Sequence, residues 1–271
     1  MEDVIIIGGG PAGSTAGALL SKAGIKNLIL ESNNHPRPHV GESMVTSSTR
    51  VFKEMGFLET LEREGFIHKY GASWHTMNGR EFAIEFAEFP QEGIDQDYTY
   101  HVDRSKLDLL LLKHAQALGS EVCQGVRVKQ VLFEDGYARG VRAQIGSREV
   151  DIPCRMVVDA SGRQTVLGRQ LNLTKKDPIF DQFAVHAWFE NVARGEPHTA
   201  DFIHIYFLPV KRGWAWQIPI TETITSMGIV AEKEVFKQSN LDTEAYFNTY
   251  IQSNPALAEA MCYARRVNEF K

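Results

Sequence analysis

The chain has 271 residues, with 29 Lys and Arg against 34 Asp and Glu and a net charge of −5. That length suits one large domain or two small ones at ~150 residues per domain, and either can bury an adequate core. With 43% hydrophobic and 23% charged residues the chain falls outside the disordered class. No apolar run reaches the ~18 residues of a membrane-spanning helix. No basic region precedes the first apolar stretch, as a secretory signal requires. Mild negative charge without a Lys/Arg block argues against nucleic-acid binding. Cys123, Cys154 and Cys262 stand far apart, with no Cys-x-x-Cys pair for zinc or dithiol chemistry. They read as small buried hydrophobes in a reducing, cytoplasmic setting.

Taken along the chain, residues 4–7 form an apolar, β-branched strand. A helix follows over 11–23, with Ala16, Leu19, Leu20 and Ala23 on one face, and a second apolar strand over 27–30. A polar loop at 32–43 carries Pro36 and Pro38. Helices are predicted at 46–55 and 105–118. Residues 127–148 alternate like a hairpin turning at Asp135-Gly136, and 156–159 read as a short buried strand. Strands then follow at 183–189, 202–208, 213–220 and 224–230, and helices at 242–252 and 256–263. The pattern predicts an α/β fold: a nucleotide-binding part in separated segments, 1–50 and 100–180, with a β-rich, mainly antiparallel part at 51–99 and 181–235. A helical segment at 236–271 closes the chain.

Gly8-Gly9-Gly10-Pro11-Ala12-Gly13 gives Gly-x-Gly-x-x-Gly between the first strand and helix. Gly8 permits the tight turn, Gly10 lets backbone approach a pyrophosphate, and Gly13 allows close helix–strand packing. The helix N-terminus then presents free N–H groups and a positive dipole to an anion. Glu31 ends the second strand, 21 residues after Gly10, where a carboxylate can accept hydrogen bonds from ribose hydroxyls. A glycine-rich turn beside a surface glutamate is the plainer alternative. The register of strand, helix and terminal acid favours a dinucleotide in a Rossmann-like fold, but does not separate NAD from FAD.

Three further stretches carry a resemblance. The run from Pro36 and Arg37 through Gly41, Glu42, Ser43 and Met44 resembles the P-R-x-x-x-G-E-S segment of the flavoprotein monooxygenase superfamily. Val102-Asp103-Arg104-Ser105-Lys106-Leu107-Asp108 resembles its V-x-R-x-x-L/F-D pattern, and Asp159-Ala160-Ser161-Gly162 its second nucleotide motif. The resemblance implies FAD as cofactor. It assigns contacts with it to Gly8, Gly10, Ala12, Gly13, Glu31, Arg37, Gly41, Glu42, Ser43, Arg104 and Asp159.

Gly213-Trp214-Ala215-Trp216-Gln217-Ile218-Pro219 resembles the W-x-W-x-I-P signature of flavin-dependent halogenases. On a strand, Trp214, Trp216 and Ile218 share one face, and Pro219 limits the ladder. The resemblance makes these four residues a wall between flavin and organic substrate; paired tryptophans are also ordinary core packing. His68-Lys69-Tyr70-Gly71-Ala72 resembles the K-x-G-A segment of phenol- and pyrrole-type halogenases, with Lys69 in the place of their essential lysine. An ammonium can hold hypohalous acid by hydrogen bonds, and a desolvated lysine can act as a nucleophile. A solvated lysine at a strand edge is the plainer alternative.

The activity so implied is FADH2-dependent halogenation. Reduced flavin from a separate reductase reacts with O2 to a hydroperoxide, which oxidises chloride or bromide to hypohalous acid. Lys69 then delivers the halogen to an electron-rich phenol or pyrrole, free or carrier-bound. A flavin monooxygenase, a geranylgeranyl-reductase-like oxidoreductase and a non-catalytic flavin-binding protein are the other readings. His186, His198 and His204 lack ligand spacing, so no metal site is expected. His101 reads as a structural histidine near the cofactor, and Trp74, His75 and Met77 as cavity-lining or half-buried. No Gly-Asp dipeptide, the superfamily's third flavin segment, precedes Phe270-Lys271. The resemblance therefore leads us to expect a longer flavoprotein, with weak FAD retention and little or no turnover by these residues alone.

Overall fold

A computed structural model describes residues 2–177 and 181–271. In chain order the elements begin β1 (Glu2–Ile7), α1 (Pro11–Lys22), β2 (Asn27–Glu31), α2 (Thr46–Met55), α3 (Leu58–Arg63), β3 (Ile67–Lys69), β4 (Gly71–His75), β5 (Glu81–Glu85) and β6 (Thr99–His101). Next come α4 (Arg104–Ala117), β7 (Glu121–Gln124), β8 (Val126–Glu134), β9 (Tyr137–Ile145), β10 (Arg148–Asp159) and α5 (Val166–Gln170). The chain ends with β11 (Gln182–Glu190), β12 (Ile203–Phe207), β13 (Trp214–Pro219), β14 (Ile224–Glu232), α6 (Lys233–Ser239), α7 (Thr243–Gln252), α8 (Pro255–Ala260) and β15 (Arg265–Arg266).

These elements form two units. The first comprises Met1–Val40, Glu54–Phe57 and Arg104–Lys176; the second comprises Gly41–Lys53, Leu58–Asp103 and Asp177–Lys271. Residues 41–50 and 100–103, expected with the nucleotide-binding part, group with the second unit, as does 236–271. Residues 178–180, the end of the expected nucleotide-binding segment, lie outside the described residues.

The first unit is built on the sheet β7-β2-β1-β10-β9-β8. β7, β2, β1 and the C-terminal half of β10 run parallel; β10, β9 and β8 form an antiparallel meander. Val4–Ile7 and Leu28–Leu30 are buried, as apolar runs in a covered parallel sheet should be. The run expected as a short buried strand at 156–159 is the end of a 12-residue strand, and Met156 is 59% exposed. Pro153 explains how one strand serves two partners. It closes the antiparallel ladder opposite Gly140, and the parallel pairing to β1 begins at Cys154 opposite Glu2. A residue without an N–H is tolerated where one ladder hands over to another.

The second unit contains the sheet β15-β11-β14-β13-β12-β4-β5, antiparallel throughout except for β12 beside β4, and the ribbon β3-β6. Helices α7 and α8 are capped by Asp242 and Asn254, whose side chains accept from Ala245 N and Leu257 N. Tyr246, Phe247, Ile251 and Leu257 from these helices cluster with Val185, Ala187, Phe189, Met227 and Ile229. At about 1.5–3 kcal/mol per fully buried large apolar side chain, this cluster binds 236–271 into the unit. The last helix stops at Ala260 rather than 263, because the chain turns to pair Arg265 and Arg266 with β11. All three cysteines are free thiols, but only Cys154 is buried; Cys123 and Cys262 are exposed, against expectation.

Candidate functional site

The first unit holds a cavity of roughly 1010 Å³ at the C-terminal ends of β1 and β2. Gly8, Gly10, Ala12, Glu31, Arg37 and Arg104 line it. Gly8 and Gly13 are required by contact. Gly8 has φ +105°, and a Cβ there would lie 2.5 Å from the Ala160 carbonyl oxygen. A Cβ on Gly13 would lie 1.9 Å from Gly8 O, so Gly13 fixes the helix against the loop and does not itself line the cavity. Helix α1 starts with Pro11 at its first position after Gly10, leaving the first-turn N–H groups facing the cavity end of the loop.

Glu31 is buried, and its carboxylate accepts from Gly9 N at 2.7 Å and Asn33 N at 2.8 Å. Burial pushes its pKa up. His35, 4.0 Å away, the two backbone donors and the Arg37 guanidinium at 3.8 Å more than offset this and hold it at about 2. Arg37 also approaches Asp108 at 3.9 Å, while its Nε is buried without a hydrogen-bond partner. Arg104 grips Asp108 at 2.7 and 3.0 Å and donates to Val40 O. Asp159 is not in the lining: its oxygens accept from Ser161 N, Ser161 Oγ and Leu167 N, so it shapes the turn that Ser161 and Gly162 present. Arg163 and Arg169 also line the cavity. The sequence reading missed them, although both follow closely on the Asp-x-Ser-Gly motif.

A glycine cradle that any Cβ would fill, a helix N-terminus, an unsatisfied buried guanidinium N–H and a carboxylate at the strand end fit a dinucleotide diphosphate with its ribose. The cavity residues therefore fit FAD.

Gly41, Glu42 and Ser43 belong to the second unit. Glu42 is buried and accepts the Trp188 indole N–H at 2.7 Å. Ser43 bridges to His101, and its Oγ is buried without a partner. Lys69, in β3, is only 5% exposed. Its Nζ donates to Met44 O at 3.0 Å and stands 5.2 Å from the centre of the Phe86 ring. Burial pushes its pKa from 10.5 down to about 8. His101 is fully buried, with Nε2 on Asp201 O and Nδ1 unpartnered; burial, reinforced by the Lys69 charge, holds it neutral. Phe86 also lines a cavity of roughly 520 Å³ with Thr46, Ile84, Phe89 and Ile94.

β13 places Trp214, Trp216 and Ile218 on one face as alternation requires, with Pro219 at its end opposite Thr225. The two indoles are 5.9 Å apart. Trp216 and Ile218 are buried with Ile220 and Val230, and the Trp216 N–H reaches Ser226 Oγ at 3.2 Å. The opposite face carries Ala215 and Gln217; Gln217 is satisfied by Tyr206 OH and Ala193 O. The same face brings together His75, Glu81 and His204, a grouping that the sequence spacing did not reveal.

A β-α-β phosphate loop opening on a charged cavity defines a dinucleotide-binding α/β protein. The FAD binding domain family matches residues 1–252, and the chain belongs to that family. The chain is 44% identical over 288 residues to the 1H-pyrrole-2-carbonyl-[peptidyl-carrier protein] chlorinase of Pseudomonas fluorescens, covering 99% of this chain and 64% of that one. It is 32% identical over 237 residues to the corresponding brominase of Pseudoalteromonas luteoviolacea, covering 86% and 56%. The solved myxobacterial chondrochloren halogenase CndH superposes with a TM-score of 0.91 at 28% identity, over 100% of this chain and 63% of that one. The chain thus spans 56–64% of the length of these relatives. Among the described residues no helix is long and apolar enough to cross a membrane.

Proposed function

We propose that the protein is an FADH2-dependent halogenase that transfers chlorine or bromine to an electron-rich aromatic ring, a pyrrole held on a carrier protein. The likeness to the pyrrole-2-carbonyl chlorinase supports the substrate class. The observation that carries the chemistry is Lys69, an amine buried beside an aromatic ring, where burial lowers its pKa to about 8. Reduced FAD, supplied by a separate reductase, provides with O2 the oxidising power that turns halide into hypohalous acid.

The chain's own residues then have distinct tasks. Gly8, Gly10, Ala12 and the α1 N-terminus hold the pyrophosphate, with Arg37 and Arg104 as cations and Glu31 toward the ribose. Gly13 and Asp159 keep that loop and the following turn in shape. Gly41, Glu42 and Ser43 border the ring system. Trp214, Trp216, Ile218 and Pro219 exclude the organic substrate from the flavin. As an ammonium, Lys69 Nζ donates to the oxygen of hypohalous acid and polarises the oxygen–halogen bond; as an amine, it attacks the halogen, an N–halogen bond forming as the oxygen–halogen bond breaks and the hydroxide leaving as water with the proton that nitrogen loses. A pKa near 8 keeps both forms accessible near neutral pH. We assign the reaction to the cytoplasm and to the biosynthesis of a halogenated antibiotic.

The test supplies the protein, in a form as long as its relatives, with a flavin reductase, O2, halide and a carrier-bound pyrrole, and follows product mass. A mass increase matching one halogen is expected. Lys69→Ala should abolish it while flavin oxidation persists. Halogenation that survives Lys69→Ala removes the lysine assignment. Hydroxylated product without halogen makes the protein a monooxygenase.

A further inference from the structure

Three neighbouring strands of the second unit carry a cluster that halogenation does not use. β12, β4 and β5 lie side by side; His204 pairs with Ser73, Tyr206 with His75, and His75 with Glu81. Cross-strand partners share a face, so His204, His75 and Glu81 project from the face opposite the tryptophans. Their donor atoms all lie within 4.8 Å of one another. His75 Nε2 is 2.9 Å from His204 Nδ1 and 3.7 Å from Glu81 Oε1. Ligands ~2.0–2.1 Å from a tetrahedral zinc stand roughly 3.3 Å apart, between those two separations.

Each ligand is also held from behind. His204 Nε2 donates to Thr199 O at 2.9 Å, which leaves the lone pair on Nδ1, aimed at His75. Ser73 Oγ donates to Glu81 Oε1 at 2.6 Å. The His75 ring stacks on Tyr206 with 4.4 Å between centroids and 14° between planes. Outer partners that fix the tautomer and orientation of imidazole and carboxylate are what a metal site requires, and ligands carried on strands are held more accurately than ligands on loops.

We propose that His75, Glu81 and His204 bind one divalent transition-metal ion, with two imidazoles and a carboxylate suiting zinc. The ion takes the place of the hydrogen between His75 Nε2 and His204 Nδ1, and His75 carries its proton on Nδ1. The Glu81 side chain is 45% exposed, so the fourth position opens to water. The ion ties the β4–β5 hairpin to β12, and that hairpin runs directly into Phe86, whose ring faces Lys69. The proposal is independent of the halogenase reading.

The experiment treats the protein with a chelator, then titrates it with zinc by calorimetry and with cobalt(II) by visible absorption. One equivalent per chain is expected, with the intense cobalt bands of a four-coordinate site. Glu81→Gln and His75→Gln should each weaken binding at least about tenfold. Unchanged circular dichroism and metal-free melting would show that both variants fold. The double variant Cys123→Ser with Cys262→Ser, which removes the exposed thiols, should bind as the parent does. Hydrogen exchange over 71–86 should slow on zinc addition in the parent and not in Glu81→Gln. Absence of saturable binding overturns the proposal and leaves a proton-only relay. Full affinity in His75→Gln and Glu81→Gln, or its loss in the cysteine variant, also overturns it.

Discussion

The phosphate cradle and the Lys69 pocket bury charge in opposite ways. In the cradle, Glu31 is met by two backbone N–H groups and by Arg37, and Asp108 by Arg104 and Arg37. The surroundings favour the charged form, and Glu31 is held at about 2. In the pocket, Lys69 has one carbonyl and the face of one phenyl ring, and burial drives it toward the neutral form at about 8. A compensated charge fixes geometry; an undercompensated one is left ready to exchange a proton or form a bond.

The largest effect should come from the cradle's backbone. Gly13→Ala places a methyl 1.9 Å from Gly8 O, a backbone atom that cannot turn aside. The cost should exceed the usual ~3 kcal/mol ceiling of overpacking. Chemical denaturation and flavin absorbance of the purified protein would measure it. Native stability with FAD retained would show that the loop is looser than its contacts imply.

Glu31 tests the compensated charge through pH. Its folded pKa, about 2, lies below the ordinary 4.5, so the unfolded state binds more protons between these values. The stabilisation is complete above pH 4.5 and is lost as pH falls toward 2. At 1.36 kcal/mol per unit it amounts to up to about 3 kcal/mol, which Glu31→Gln should remove at neutral pH together with that acid-sensitive step. Acid titrations of both proteins should converge near pH 2; parallel curves would mean that Glu31 is not compensated.

Lys69 should show the reverse behaviour. Its folded pKa of about 8 lies below 10.5, so its penalty is complete below pH 8 and is relieved as pH rises to 10.5. Lys69→Met removes the penalty but orphans Met44 O, worth about 1 kcal/mol. The variant should gain about 2 kcal/mol at neutral pH and lose the alkaline rise in stability. Destabilisation at neutral pH would place a compensating partner beside Lys69 and end the contrast with the cradle.

What the sequence disclosed follows the same division. The cradle was legible because its parts are local: β1, the glycine loop, α1 and Glu31 come within one β-α-β stretch, where each glycine has a stated steric task. The pocket and the triad depend on pairings that periodicity does not encode. β4 pairs with β12 across 129 residues between His75 and His204, so neither the triad nor the short strands β3 to β6 left a local signal. The burial of Lys69 was likewise invisible, since alternation with His68 and Tyr70 is equally compatible with either face turned inward. The face of Trp214, Trp216 and Ile218 could be read because a period of two suffices, whereas the length of β10 could not, because Pro153 reads locally as a break.

The finest test of the pocket is Phe86→Leu. A cation 5.2 Å from a ring centroid gains at least the roughly 0.5–1 kcal/mol found at exposed sites, and only the ammonium gains it. Removing the ring while keeping an apolar side chain withdraws that support and leaves burial in place. The Lys69 pKa should then fall a further half unit or so, at 1.36 kcal/mol per unit. The pH dependence of labelling Lys69 with an amine-reactive reagent reads the shift directly. A rise instead of a fall would mean that water enters when the ring leaves, making Phe86 a seal first and a cation partner second. In that case the poised amine would depend on Phe86 keeping water out, with the neighbouring cavity that Phe86 lines beside Thr46, Ile84 and Phe89, rather than on the aromatic face.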